Sequence, residues 1–450
     1  MRRSISWLWR ATAVVIAATV VFGSSDALAV VGTINGGASA TAQATPVDPV
    51  GGELVSVYER STLSDAVRDR AFAAARAVDA PAGLVRGFQV GMQRAERNGA
   101  AVFQAPAPDG GLWQVPMSAN AMEPATAMGL MGRAFAGQLS AGHVIVSQTS
   151  ATTHNVQAGD VVVLVSASST LVPFAVGAVV PDAAVGGSEL TMSRDMASAL
   201  GAGSDTGVIV WGRLDHGAID NALAGQGLLG NPDVRVRHTW DAQDPDDTLG
   251  LARTKQLLGE LSFKLTSAGG ISVDPGWAAQ YIGPREAYPT GIRAQCNATI
   301  KADLAAALQD VVNAGLSGAI DVANTNTFGG CFGPRYNRLT ANIGNLSRHT
   351  WGQPIDMNTT QNCQGCVPRM DCRVVRIFRA HGFAWGGNFL FPDGMHFEWT
   401  GRVTDQLQYP SRYCPNPAGA TGTEALPTGP PIGRDTFCDG ATSAMPGSSD

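Results

Sequence analysis

Two histidines and three acidic residues stand in this chain at spacings that suit metal and proton chemistry. In Ser347-Arg348-His349-Thr350-Trp351-Gly352-Gln353-Pro354-Ile355-Asp356-Met357-Asn358 the last five residues alternate apolar and polar. That predicts a strand with Asp356 and Asn358 on one face and Ile355 and Met357 on the other. Gly352 and Pro354 disfavour a helix, so a turn is expected to carry His349 back towards Asp356. Asp393-Gly394-Met395-His396-Phe397-Glu398-Trp399 repeats the alternation, with His396 and Glu398 opposite Met395, Phe397 and Trp399. Two imidazoles and a carboxylate suit zinc and leave a fourth position for water, as in catalytic sites. Spacing alone does not join them, since two histidines this far apart in sequence are more often unrelated. Asp393 is placed to take a proton from such a water, although an Asp-Gly pair by itself reads first as a turn former.

Taken together, Ser347-x-His349-x-x-Gly352-x-Pro354-x-Asp356, then Trp385-Gly386-Gly387, then Asp393 to Glu398 resemble the VanY-like zinc peptidases. That family holds D-alanyl-D-alanine carboxypeptidases and L-alanyl-D-glutamate endopeptidases of bacterial cell walls. Gly330-Cys331-Phe332-Gly333-Pro334-Arg335 and Asp274-Pro275-Gly276-Trp277 extend the resemblance over residues 255–403. It implies zinc held by His349, Asp356 and His396, with Asp393 as the general base. Arg335 is implied as a group for a substrate carboxylate or the oxyanion, with a surface ion pair as the alternative. Ser347, Glu398 and Trp385 fall into supporting or substrate-facing positions, with a plain surface role open for Ser347 and Glu398 and core packing for Trp385. Pro354 departs from the family's more usual alanine and is compatible with an edge strand. The implied activity is hydrolysis of peptide bonds in peptidoglycan stem peptides by a secreted zinc metallopeptidase, either carboxypeptidase or endopeptidase. The alternative is a zinc-containing but non-catalytic module that binds cell wall or protein.

The elements that must position these residues can be read around them. Residues 249–265 have the pattern of an amphipathic helix. Asn297 is a cap for a second helix running to Ala314, and 372–380 forms a third, closed by Gly382, whose Val374, Val375, Ile377 and Phe378 back the sheet. The expected fold is α+β: a zinc-peptidase domain with a small antiparallel sheet and flanking helices, preceded by a separate mixed α+β domain.

Upstream, residues 1–29 read as a signal peptide: Arg2, Arg3 and Arg10 precede an apolar run that ends in Ala27-Leu28-Ala29. Membrane contact is expected only if this segment is uncleaved. Residues 30–50 read as a linker, 51–240 as the accessory domain, the acidic 241–254 as a solvated linker, 255–403 as the peptidase domain and 404–450 as a Pro/Gly/Ser-rich tail. Within the accessory domain, 64–78 and 83–98 read as helices. Residues 101–104, 112–115, 143–147, 160–166 and 208–211 read as strands. Its strand-and-turn words, such as Gly142-His143-Val144-Ile145-Val146-Ser147, are similar to extracytoplasmic domains of FtsX- or MacB-type permeases, which implies a protein partner. His143, His154, His216 and His238 read as surface or satisfied core residues.

The formal charge of -6 gives no nucleic-acid footprint. All seven cysteines follow residue 290, and an exported chain favours disulfides with one cysteine left over. Cys363, Cys366 and Cys372 read as a disulfide-stapled loop in preference to a redox motif or a second zinc site. A bridge from Cys414 or Cys438 is expected to tie down the tail.

Overall fold

A computed structural model of the chain describes residues 52–60, 62–323, 328–338, 344–409 and 411–416, with the strands Val31–Thr33 and Gln43–Thr45. The expected signal peptide, Cys438 and most of the tail lie outside the described residues. The fold is mixed α+β.

The N-terminal part is built on a ten-stranded sheet. Nine strands run in the order Val234–His238, Glu53–Glu59, Gly207–Gly212, Ala82–Arg97, Val115–Met122, Leu190–Ser193, Val144–Ser147, Leu171–Val180, Val161–Val165, and the tenth, Ala100–Gln104, pairs with Ala82–Arg97 off this path. Val161–Val165 pairs back onto Ala82–Arg97, so six of these strands form a closed ring without free edges. The long strand Ala82–Arg97 corrects the helix expected at 83–98. Gly87 and Gly91 weaken helical propensity there, and Val85, Phe88, Val90 and Met92 are buried between neighbouring strands. The strand expected at 112–115 starts at Val115 instead and runs to Met122. The first helix forms as Asp65–Ala77, with the Ser64 side chain accepting from Val67 N. All four N-terminal histidines have partners: His143 meets Gln138, His154 meets Glu260, His216 meets Glu53, and His238 meets Asp220 and Asp241.

The C-terminal part carries a four-stranded antiparallel sheet in the order Phe328–Gly330, Pro354–Met357, His396–Trp399, Phe383–Trp385. Its apolar face, including Ile355, Met357, Phe383 and Phe397, packs on Val374, Val375 and Phe378 of the helix Cys372–Ala380. The Phe378 and Phe397 rings lie 4.5 Å apart. Asn297 caps a short turn that leads into the helix Lys301–Asn313. The helix expected over 249–265 is shorter, Leu251–Leu258, and the chain continues as the strand Phe263–Leu265, which a bridge to Gln114 ties to the N-terminal part. Pro354 does not lie on an edge strand. It opens an interior strand, at a position opposite Glu398 on one side and beyond the Phe328–Gly330 strand on the other, so its missing N–H costs no ladder bond there.

The acidic run at 241–247 is not solvated. Asp244 is buried against Arg237, and Asp246 is buried against Arg379. Asp246 Oδ1 also accepts from Trp385 N at 2.9 Å and Oδ2 from Asn388 Nδ2 at 2.5 Å. A second buried cluster joins the two parts: Lys255 Nζ lies 2.6 Å from Glu189 and 2.7 Å from Glu260. Among the described residues three disulfides form, Cys296–Cys331, Cys363–Cys366 and Cys372–Cys414, the last tying the start of the tail to a helix.

Asp246→Ala removes the partner of a fully buried arginine. It is expected to lower unfolding stability by about 3–5 kcal/mol, the cost of a buried charge left unpaired. Denaturant unfolding followed by tryptophan fluorescence measures this, and a loss below about 1 kcal/mol would contradict the role given to Asp246.

Candidate metal centre

Register places the first two donors. Asp356 and His396 sit directly opposite each other in neighbouring antiparallel strands, so their side chains rise from the same face. His396 Nδ1 lies 3.1 Å from Asp356 Oδ1. The third donor arrives by a turn. Arg348–Trp351 forms a short 3-10 helix ended by Gly352 at φ 63°, where a Cβ would also come within 2.9 Å of Asn297 N. This turn brings His349 Nε2 to 3.1 Å from Asp356 Oδ2. One ligand atom from each of His349, Asp356 and His396 lies within 4.8 Å of the others, and all three residues are buried. The alternation expected beyond Asp356 breaks down: the strand ends at Met357, and Asn358 turns away at φ 53° to accept from Asp321 N.

Each imidazole is held through its other nitrogen. His349 Nδ1 is 2.7 Å from the carbonyl of Cys331, a residue fixed by its disulfide to Cys296. An Nδ1–H donated there leaves Nε2 as the free lone pair. His396 Nε2 is 3.3 Å from Glu398 Oε2, which leaves Nδ1 facing Asp356. Glu398 is itself held by Gln353 Nε2 at 3.3 Å and by the Arg348 guanidinium at 3.6 Å. Arg348, Gln353 and the Cys331 carbonyl are supports that sequence reasoning missed. Their contacts to these partners run between segments far apart in the chain or through backbone, and no local pattern signals them.

The electrostatics follow from burial. Burial lowers the His349 pKa, and its neighbour Asp356 offsets this only in part. Burial also works against charge on His396, yet hydrogen bonds to Asp356 and Glu398 prevail and push it up to about 10. Asp356 is held well below the usual carboxylate range, because the two imidazoles outweigh its desolvation. A carboxylate between two imidazoles whose remaining nitrogens are already committed fits a divalent cation such as zinc.

Asp393 stands beside this group. Its backbone N donates to Gly386 O at 2.8 Å, and a Cβ on Gly386 would lie 2.5 Å from Asp393 O and 3.0 Å from His396 Cβ, so the close approach needs glycine. Oδ2 accepts from Gln364 Nε2 at 3.3 Å, whereas Oδ1 is buried without a hydrogen-bond partner among the described residues. Burial pushes the Asp393 carboxyl up to about 7; His396 and Arg335 oppose this and Asp356 adds to it. Arg335 is half-buried, feels both Asp356 and Asp393, and donates through Nη1 to Gly333 O at 3.2 Å. Ser347 caps the His349 turn, its Oγ accepting from His349 N at 3.3 Å. Trp385 is fully buried and donates from Nε1 to Gly394 O at 2.9 Å, which steadies the loop bearing Asp393.

Residues 341–399 match a family model described as D-alanyl-D-alanine carboxypeptidase. The match contains His349, Asp356, Asp393, His396 and Glu398, while Arg335 precedes it. No match to the chain is found among curated proteins. Among solved structures, the crystal structure of the extracellular domain of the noncanonic ABC-type transporter YknZ from Gram-positive bacteria is similar at 9% identity. It covers 41% of this chain and 99% of that one, with a TM-score of 0.25.

Glu398→Gln should keep the fold and weaken zinc binding by about 10–100-fold, as loss of a partner that orients a ligand imidazole does. Asp356→Ala should abolish tight binding. Competition with a chromophoric chelator measures both; unchanged affinity in either variant would contradict the assignment.

Proposed function

We propose that this chain is an extracytoplasmic zinc metallopeptidase that hydrolyses a peptide bond in peptidoglycan stem peptides. The observation that carries the reading is Asp393: a buried carboxylate with one oxygen held and the other without a hydrogen-bond partner among the described residues, next to a His/Asp/His donor set. Leaving a buried acceptor unsatisfied costs about 1–3 kcal/mol. A purely structural or binding module gains nothing from that cost, which disfavours the non-catalytic alternative. The match of residues 341–399 to a carboxypeptidase family supports the substrate class.

His349, Asp356 and His396 would hold the zinc, which when bound supplies Lewis-acid polarisation of the scissile carbonyl and of water. Asp393 Oδ1 accepts a proton from the attacking water as its oxygen adds to the carbonyl carbon. The same carboxyl then passes that proton to the nitrogen as the C–N bond breaks. Arg335, close enough to feel both acidic groups, is the proposed clamp for a substrate carboxylate or the developing oxyanion. Glu398 keeps the His396 ring oriented, and Ser347 fixes the turn that presents His349. Three disulfides in the described residues support an oxidising, extracytoplasmic compartment.

Purified zinc-loaded protein is expected to release new amino groups from peptidoglycan. Asp393→Asn should lower kcat by about 10²–10⁴-fold while zinc stays bound. Amine release by Asp393→Asn at the wild-type rate would overturn the base assignment.

A further inference from the structure

The Cys363–Cys366 loop does more than close on itself. Residues 362–365 run against residues 392–395, the segment that carries Asp393. Gly365 N donates to Pro392 O at 2.6 Å, Gln364 and Asp393 form an antiparallel bridge, and Met395 N donates to Asn362 O at 3.2 Å. The Gln364 side chain reaches the carboxylate, through Nε2 on Oδ2 at 3.3 Å. The disulfide brackets Gln364 on both sides, and Cys366 N donates to Cys363 O at 3.0 Å across the same turn. The loop's N-terminal end is also fixed, because Asn362 N donates to Asn358 O at 3.1 Å and Asn362 Oδ1 accepts from Arg369 N at 2.7 Å.

We propose that Cys363–Cys366 is a covalently closed clamp that positions the catalytic carboxylate, with Gln364 as its positioning residue. The inference rests on Asp393 being the base of the proposed peptidase. A carboxylate can rotate about its last bond and offer either oxygen. Anchoring Oδ2 on a side-chain amide leaves Oδ1 as the oxygen that meets the water. An amide suits this task because it donates a hydrogen bond without adding charge: a lysine or arginine there would hold the carboxyl ionised and weaken it as a base. The disulfide fixes where the amide starts from, since its two half-cystines flank the residue that reaches out. Gln364 acts through Asp393 and touches no reacting atom.

The test uses the full zinc-loaded chain, with Gln364→Ala and the double variant Cys363→Ser/Cys366→Ser. If the clamp positions the base, Gln364→Ala lowers kcat on a stem peptide by about 10-fold or more with KM within about 2-fold, because the interaction serves the transition state and not binding. In the double variant, hydrogen exchange of a peptide covering residues 391–396 accelerates by about 10-fold or more, with exchange in the helix Lys301–Asn313 unchanged. Unchanged exchange at 391–396 overturns the clamp whatever the activity. Unchanged kcat in Gln364→Ala, with an active wild type, overturns the positioning role and leaves the peptidase reading standing. A wild type inactive on every stem-peptide bond refutes the peptidase reading and, with it, the catalytic purpose of the clamp.

Discussion

Asp356 is a carboxylate buried between two imidazoles, and most of the C-terminal architecture can be understood as what that placement requires. Removing a carboxylate from water costs several kcal/mol unless partners replace the solvent. Here each oxygen meets a different ring nitrogen at 3.1 Å. The two contacts come from different structural devices. One is strand register, which sets His396 opposite Asp356. The other is the Gly352 turn, which folds His349 over the strand start. Loss of either would leave one oxygen of a buried carboxylate without its imidazole, so the same devices that build the sheet and the turn also hold the donor set. The same logic makes the group receptive to a cation, because imidazoles and carboxylate already converge and their outer atoms are already committed.

Rigidity comes from a further layer of buried polar contacts. Arg348 and Gln353 hold Glu398, and Glu398 holds the His396 ring. Asp246, from a segment between the large sheet and the four-stranded sheet, binds Trp385 N and Asn388. Those two residues flank the Gly386 turn, whose carbonyl receives Asp393 N. The position of the proposed base is thereby linked to the joint between the two parts of the chain. Partly satisfied networks of this kind are costly; among the described residues this one leaves Gln353 Oε1 and Asp393 Oδ1 without hydrogen-bond partners, and at Asp393 a proton acceptor is useful.

The site was legible in the sequence where its logic was local. Alternation placed Asp356, His396 and Glu398 on strands, and the helix Cys372–Ala380 followed from its apolar spacing and Gly382. Asn358 failed because one left-handed residue ends the strand, a choice set by its contacts with residues 319 and 321. The strand Ala82–Arg97 has the look of a helix in sequence because charged and alanine residues obscure the glycines and because its partners lie far along the chain. The acidic run at 241–247 read as solvated because nothing nearby in sequence announces Arg237 or Arg379 as partners. Gln364 and the pairing of Cys372 with Cys414 were invisible for the same reason: both are set by tertiary contact alone.

Zinc-dependent hydrolysis is tested most directly by mass spectrometry of defined muropeptides incubated with the purified protein, before and after removal of metal by a chelator and readdition of zinc. The expected result is a single new product pair from hydrolysis of one stem-peptide bond, lost on chelation and restored by zinc. Hydrolysis that survives complete metal removal, or no hydrolysis of any stem peptide by protein shown to hold one zinc, would contradict it.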